Sequence, residues 1–388
     1  MQNRKWALRS WILPLAAFMV AVTPTLLLAA PSSGNSFSQH NLVSDIPGLA
    51  SYTDPALSNP WGVSFSGTGP FWISDNKTGL STLYNSTGVK LGLVVSIPPA
   101  VGQQGPAAPT GQVFNPVKTN FGGAAFIFAT EDGTISSWKG SNGTNAVLQF
   151  DNSANGAVYK GIAMASSGSN TYLYATDFHN NAITVLDSNF NKVSLGGSFS
   201  DPTLPAGYAP FNIQSWGGNL YVTYALQDAA AHDDVSGPGH GFVDVFDTNG
   251  NLISRLISMG SLNSPWGLAW APAGFGKFTG DLLVGNFGDG SINAFDPITG
   301  QWLAQLDDPN GNPIVNLGLW NIGFGNGGNG GRTDYLYFTA GIPGNGNIED
   351  HGLFGSLSAT PEPGTLTLLG SGLASLIGYG MRRGKRSA

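Results

Sequence analysis

The sequence has 388 residues, of which only 10% are charged and 56 are glycine, and its formal net charge is −7. Few charges and abundant glycine exclude long surface helices, and 11% aromatic residues are too many for a disordered acidic chain. The acidic balance and the lack of basic clusters in the central part of the chain argue against nucleic acid as a partner. Cysteine is absent, so no disulfide stabilises the protein.

The N-terminal segment has the organisation of a secretory signal. Arg4, Lys5 and Arg9 precede a long apolar run, and small residues follow it around Ala29 and Ala30. This order predicts a signal peptide over 1–30 and export across the inner membrane. A retained membrane anchor is the alternative, because the apolar run is almost long enough to span a bilayer.

From residue 40 to residue 359 the sequence repeats a pattern of four short apolar or alternating runs, separated by Asn, Asp, Ser and Gly. Such runs and separators predict strands and tight turns. "NPWGVSF" (59–65) opens the first copy, and "SPWGLAW" (264–270) opens the fifth. Aligning the opening runs places six residues in register, namely Gly62, Gly111, Gly161, Asn212, Gly267 and Asn321.

The spacing of these aligned residues is about 52, which is typical of propeller blades. The sequence therefore predicts one all-β domain over 40–359, a six-bladed β-propeller with four-stranded antiparallel blades. The opening run of each copy is predicted to be the innermost strand, because glycine in a strand marks a close approach of backbones. We expect Trp61 and Trp266 to pack in the core between neighbouring blades. An aromatic platform for a sugar or another planar ligand is the alternative.

The sixth copy lacks its fourth run, because only three runs precede Pro361. A strand-like run, "HNLVSDI" (40–46), lies ahead of the first copy. An open blade edge invites aggregation. We therefore expect this N-terminal run to serve as the missing strand of the last blade and to close the ring.

Candidate ligand-binding residues lie between the second and third runs, where four of the five histidines occur: His179, His232, His240 and His351. In a propeller these connections share one face, and long loops on a rigid scaffold commonly carry binding sites. Several carboxylates lie nearby, namely Asp177, Asp233, Asp234, Glu349 and Asp350. The pattern predicts a divalent-metal site, with Ca²⁺ or Zn²⁺ as the candidate cofactor, formed by His232, Asp234, His240 and His351. The alternative is that these are ordinary turn residues.

No catalytic residue can be assigned from the sequence. A thiol nucleophile, a phosphate-binding loop, a zinc-protease helix and a serine elbow between strand and helix are all missing. The lack of these catalytic motifs favours a non-enzymatic protein, and it does not exclude a metal-dependent enzyme.

The C-terminal segment contains Pro361, Glu362 and Pro363, an apolar run over 365–380 and a basic tail over 381–388 with Arg382, Arg383, Lys385 and Arg386. This order resembles the PEP-CTERM sorting signal of Gram-negative bacteria. The resemblance implies an exosortase-type processing enzyme as a partner and a C-terminal membrane segment before processing. Sixteen helical residues span about 24 Å, less than the roughly 30 Å of a bilayer core, which suits a transient anchor.

The repeats together with the tag resemble exported PEP-CTERM-tagged six-bladed propellers of unassigned activity and NHL-like architecture. The resemblance implies a location at the cell surface, in the periplasm or in the extracellular matrix. The favoured function is a binding or scaffold module, with an extracellular polysaccharide or a surface protein as its partner. The alternatives are a metal-dependent hydrolase or lyase of the lactonase kind at the channel mouth, and a purely structural surface protein.

Overall fold

The computed structural model describes residues 36–360, so the predicted signal peptide (1–30) and the predicted sorting segment (361–388) lie outside the described residues. Within 36–360 the chain forms six sheets in which consecutive strands of each repeat pair antiparallel. The first strands of the six repeats contact one another in ring order. This arrangement is a six-bladed β-propeller, and it confirms the predicted all-β fold and the predicted number of blades.

The described chain begins with two strands, β1 (Phe37–Ser44) and β2 (Tyr52–Thr53). The first blade contains β3 (Pro60–Ser64), β4 (Phe71–Asp75), β5 (Leu80–Tyr84) and β6 (Lys90–Ser96). The second blade contains β7 (Pro109–Phe114), β8 (Phe126–Thr130), β9 (Thr134–Trp138) and β10 (Val147–Asp151). The third blade contains β11 (Tyr159–Ser167), β12 (Asn170–Asp177), β13 (Ala182–Leu186) and β14 (Lys192–Val193).

The fourth blade contains β15 (Tyr208–Trp216), β16 (Asn219–Leu226), β17 (Phe242–Asp247) and β18 (Leu252–Ser258). The fifth blade contains β19 (Pro265–Trp270), β20 (Leu282–Asn286), β21 (Ile292–Phe295) and β22 (Trp302–Gln305). The sixth blade contains β23 (Leu319–Phe324), β24 (Tyr335–Ala340) and β25 (Leu353–Ala359). Short 3-10 helices lie in the loops of the described range at Asn76–Thr78, Phe121–Gly123, Gly140–Asn142, Ser153–Asn155 and Gly276–Phe278.

The aligned glycines allow the six innermost strands to converge. A Cβ atom added to Gly62 would lie 2.6 Å from the backbone oxygen of Thr110, which belongs to the second blade. A Cβ atom on Gly111 would lie 2.7 Å from the backbone nitrogen of Ile162 in the third blade. Both distances are too short for a real side chain, so glycine is required where neighbouring backbones meet.

Each innermost strand has a β-bulge at the same place, just before or at the aligned residue. In the first blade the register changes between Pro60 and Val63, and the other five blades show the same irregularity. A bulge redirects the side chain next to it. The residues one position before the aligned ones therefore lie at the axis, and they include Trp61, Trp266 and Trp320.

These tryptophans contact one another at the centre of the ring. The rings of Trp61 and Trp320 stack with centroids 3.4 Å apart, and the ring of Trp266 meets Trp61 edge-on at 6.0 Å. Trp61 and Trp266 are buried core residues, as expected. Each contacts Trp320 of the sixth blade, which neighbours both the first and the fifth blade.

The tryptophans belong to a buried apolar cluster that we call the axial plug: Trp61, Phe178, Ala209, Phe211, Ala225, Trp266, Phe287 and Trp320. Its members come from the innermost strands, from the second strand of the fourth blade (Ala225) and from the residues that follow the second strands of the third and fifth blades (Phe178 and Phe287). The plug fills the centre of the ring with apolar side chains, so the axis of the propeller is not an open channel.

The N-terminal strand β1 lies on the outer side of the sixth blade, and the two-residue strand β2 pairs with its end in parallel. It pairs antiparallel with β25, from Phe37 opposite Ala359 to Ser44 opposite Leu353. The hydroxyl of Ser44 also donates a 2.7 Å hydrogen bond to the backbone oxygen of Gly352. The paired segment starts three residues before the predicted run at 40–46.

Among residues 36–360, no helix is long and apolar enough to cross a membrane.

Candidate functional site

The plug separates two openings at opposite ends of the axis. In every blade, the end of the second strand pairs with the start of the innermost strand, as Asp75 pairs with Pro60 in the first blade. The connections between second and third strands therefore share one face, as expected from the sequence. We call the opening on this face the polar mouth. A cavity occupies the opposite end, where the innermost strands finish, and we call it the neutral cavity.

The polar mouth brings acidic groups from two blades together. Glu131, His232 and Asp233 place one ligand atom each within 4.8 Å of the others. The ammonium of Lys160 lies among them, with Nζ 2.5 Å from Glu131 Oε1 and 3.2 Å from Asp233 Oδ1. A lysine therefore already supplies a positive charge at the place where the carboxylates would attract a cation.

Lys160 is a buried charge held by its partners. It occupies the same position in β11 that Trp61 occupies in β3, and its side chain is only 2% exposed. Burial acts to lower the pKa of Lys160, but the negative charges of Glu131 and Asp233 outweigh it and raise the pKa above its usual value. Nζ also lies 5.3 Å from the centroid of the Trp61 ring, within the range of a cation–π contact.

A chain of amide side chains connects the two acidic loops of the polar mouth. Asn76 Nδ2 donates to Glu131 Oε2 at 2.8 Å, and Asn59 Nδ2 donates to Asn76 Oδ1 at 3.2 Å. Asn59 Nδ2 also donates to Glu349 Oε1 at 3.0 Å, and Asn59 Oδ1 accepts from Trp320 Nε1 at 3.0 Å. Burial, reinforced by the charge of Glu131, raises the pKa of Glu349 to about 7. Glu349 therefore keeps its proton at a higher pH than an exposed glutamate does.

His232 and Asp233 form an exposed ion pair at the same opening. His232 Nδ1 lies 2.9 Å from Asp233 Oδ1. This hydrogen bond raises the pKa of His232, and it holds the pKa of Asp233 well below its usual value. Asp233 therefore stays ionised over the whole physiological range and contributes to holding Lys160.

The structure brings one of the four predicted metal ligands, His232, to this group. Asp234 accepts a 3.0 Å hydrogen bond from Ser236 within its own loop, and burial raises its pKa. His240 Nδ1 lies 2.8 Å from the backbone oxygen of Val235. These two side chains are thus engaged inside the loop of the fourth blade.

His351, the fourth predicted ligand, pairs with Asp45, with Nδ1 2.9 Å from Oδ2. The residues that join His232 instead are Glu131 and Lys160. Sequence reasoning missed Glu131 because its connection is short and contains no histidine. Its position directly after the second run was the available signal. Lys160 gave no signal, since it lies in a predicted strand.

The neutral cavity has a volume of about 370 Å³, and the innermost strands form its wall. No acidic, basic or histidine side chain lines it. The polar lining side chains are Ser64, Gln112, Asn212, Gln214, Ser215, Asn321 and Tyr337. Trp266 of the axial plug lines it as well. Each innermost strand is the edge of its sheet, so part of the wall consists of peptide groups that have no partner strand.

These features define a six-bladed β-propeller with a plugged axis and two chemically different ends. Residues 359–386 match the PEP-CTERM protein-sorting motif, which implies export, sorting to the cell surface and processing by an exosortase-type enzyme. The chain belongs to the same family as the uncharacterized proteins R648 and L690 of Acanthamoeba polyphaga mimivirus. Each is 34% identical over 294 residues, which cover 72% of this chain and 71% and 76% of those proteins, respectively.

A solved glucose dehydrogenase is similar in structure, with a TM-score of 0.53 and 12% identity over 84% of this chain and 100% of that one. At this level of identity the similarity shows the fold alone.

Proposed function

We propose that the protein is an exported, surface- or matrix-associated binding module whose ligand enters the neutral cavity. The observation that supports this proposal is a 370 Å³ opening that Trp266 of the axial plug lines, with a wall of strand edges. Its volume lies at the lower end of the range of ligand pockets, about 300–1,000 Å³.

Recognition rather than catalysis suits the chemistry of this cavity. General acid–base catalysis requires a side chain that exchanges a proton near neutral pH. The lining has no carboxylate, imidazole or amine, and burial raises the pKa of its tyrosine, Tyr337, further above 10. The wall is also rigid, because strands of all six blades form it.

Asn321 offers a direct test. It lines the cavity, and its side chain forms no hydrogen bond within residues 36–360, so Asn321→Trp should fill the cavity without breaking a native side-chain hydrogen bond. Purified wild-type and variant chains would be added to washed extracellular matrix of the producing organism, and the bound fraction measured. We expect Asn321→Trp to abolish binding. Val101→Trp is the matched control, because Val101 is 77% exposed and outside the cavity, and it should bind like wild type. Matrix binding by Asn321→Trp at the wild-type level would contradict the proposal.

A metal-dependent hydrolase or lyase at the polar mouth is the second candidate. The proximity of Glu131, His232 and Asp233 favours it, because carboxylate and imidazole atoms within 4.8 Å can share one divalent ion. A metal would have to displace the ammonium of Lys160 from these carboxylates. Titration of the wild type with Ca²⁺ and Zn²⁺ tests this candidate. His232→Ala should lower the metal affinity if the site exists, whereas His240→Ala should not.

A further inference from the structure

An exposed aromatic platform lies at the rim of the neutral cavity. Trp216 directly follows Ser215, and Trp270 comes two residues after Leu268; both Ser215 and Leu268 line the cavity. The indole rings of Trp216 and Trp270 stack with centroids 4.7 Å apart and planes only 2° from parallel.

Tyr221 supports this platform by packing against Trp270. The ring of Tyr221 packs edge-on against Trp270 with centroids 4.7 Å apart. Trp216 itself remains 51% exposed, which is unusual for a residue that is so large and mostly apolar. The outer face of Trp216 therefore offers a flat apolar surface, and the next residue along the chain on its N-terminal side, Ser215, lines the cavity.

The wall of the cavity restricts the charge of that ligand. A ligand that carried a full charge would leave water without meeting an opposite charge, because no ionised side chain lines the cavity. A purely apolar ligand would leave the unpaired peptide groups, the buried amide oxygens of Gln112 and Gln214 and the side chain of Asn321 without hydrogen bonds. The suitable ligand is uncharged and carries groups that both donate and accept hydrogen bonds.

We infer that this ligand is a neutral carbohydrate, a deduction that rests on the proposed function of the cavity. A sugar ring has hydroxyl groups, which donate and accept, around its edge and an apolar face of C–H groups that packs on an aromatic ring. One ring of the sugar occupies the cavity, and an adjoining ring lies on Trp216. Because the cavity is small and the axial plug closes it, it accepts the end of a chain rather than its middle.

The test uses the full chain, purified in a detergent that has no sugar head group. The probes are neutral hexasaccharides of glucose, mannose and galactose, with a galacturonic acid hexasaccharide as the charged counterpart. Titration calorimetry and tryptophan fluorescence would measure binding. We expect at least one neutral probe to bind with a Kd below about 1 mM and the charged probe to bind at least tenfold more weakly.

Two substitutions connect binding to the structure. Trp216→Ala should weaken binding of the neutral probe at least tenfold, and Asn321→Trp should abolish it. Trp302→Ala is the matched control, because Trp302 is 50% exposed but lies on the outer strand of its blade, and its affinity should stay within twofold of wild type. Wild-type affinity in Trp216→Ala, or no binding of any neutral probe, would overturn the inference.

The same variants separate this inference from the proposed function. If Asn321→Trp abolishes matrix binding but neutral hexasaccharides do not compete with the matrix, the cavity binds a different ligand and the carbohydrate inference fails alone. If Asn321→Trp still binds the matrix, the proposed function fails as well.

Discussion

Glu131→Gln should destabilise the propeller far more than an ordinary change at a loop position. The substitution removes the closer of the two negative charges that hold Lys160, whose side chain is 2% exposed. Removing one partner of a buried ion pair costs about 3–5 kcal/mol, because the other charge remains buried and uncompensated. Asp233 still contacts Lys160 at 3.2 Å, so we expect a loss at the lower end of that range, about 3 kcal/mol.

This loss can be measured as a change in melting temperature. Roughly 325 residues unfold, and an unfolding entropy of about 2.1 cal/mol/K per residue converts 3 kcal/mol into a decrease of about 4 °C. Differential scanning calorimetry of the purified chain resolves such a shift. Asp233→Asn is the matched control. Because Asp233 is 66% exposed, its loss should cost at most about 1 kcal/mol.

A double variant distinguishes an uncompensated charge from a lost hydrogen bond. Lys160→Met combined with Glu131→Gln removes both charges and places an apolar side chain against the axial plug. Replacing a whole buried pair is often close to neutral, so the double variant should melt at a higher temperature than Glu131→Gln alone. The reasoning is refuted if the double variant is less stable than the single one, or if Glu131→Gln melts no lower than Asp233→Asn.

Three further perturbations test other parts of the structure. Burial, together with the charge of Asp201, raises the pKa of Asp244 to about 7, so the folded protein retains a proton between pH 4 and 7 that the unfolded chain releases. Stability should therefore decrease as the pH rises from 5 to 8, and Asp244→Asn should flatten this dependence in thermal melts; a melting temperature that rises over this range would contradict the assignment. Deleting Phe37–Ser44 should expose β25 and cause aggregation or loss of cooperative unfolding, and a monomeric deletion variant with unchanged melting would show that the ring does not depend on β1. Ending the chain at Thr360 should release a folded propeller that cell fractionation finds outside the membrane, whereas persistent membrane association after signal-peptide removal would show that the C-terminus is not the anchor.

The fold could be predicted from the sequence because the repeated glycines reflect a steric requirement of the innermost strands. Gly62 and Gly111 recur at the spacing of blades, and each is required where two backbones meet. The β-bulge next to these glycines could not be predicted from the sequence, because a bulge changes the pairing of two strands and not the types of residue in them. The direction of Trp61, towards the axis, therefore could not be predicted.

The candidate sites were harder to predict, because they depend on residues from several blades. Glu131 and Lys160 belong to neighbouring blades, and they meet only when the second and third blades pack together. The histidines of the long loops were conspicuous in the sequence, yet His240 and His351 have partners near their own blades. The neutral cavity had no motif at all, since backbone atoms of six strands form much of its wall.

The axial plug makes the two ends of the molecule chemically independent. Trp61, Trp266 and Trp320 contact one another across the axis, so packed apolar rings lie between the polar mouth and the neutral cavity. Protonation of Glu349 or His232 therefore changes the charge at one end only. A molecule attached to a surface through the polar mouth would present the other end to its ligand with an affinity that stays constant from pH 5 to pH 8.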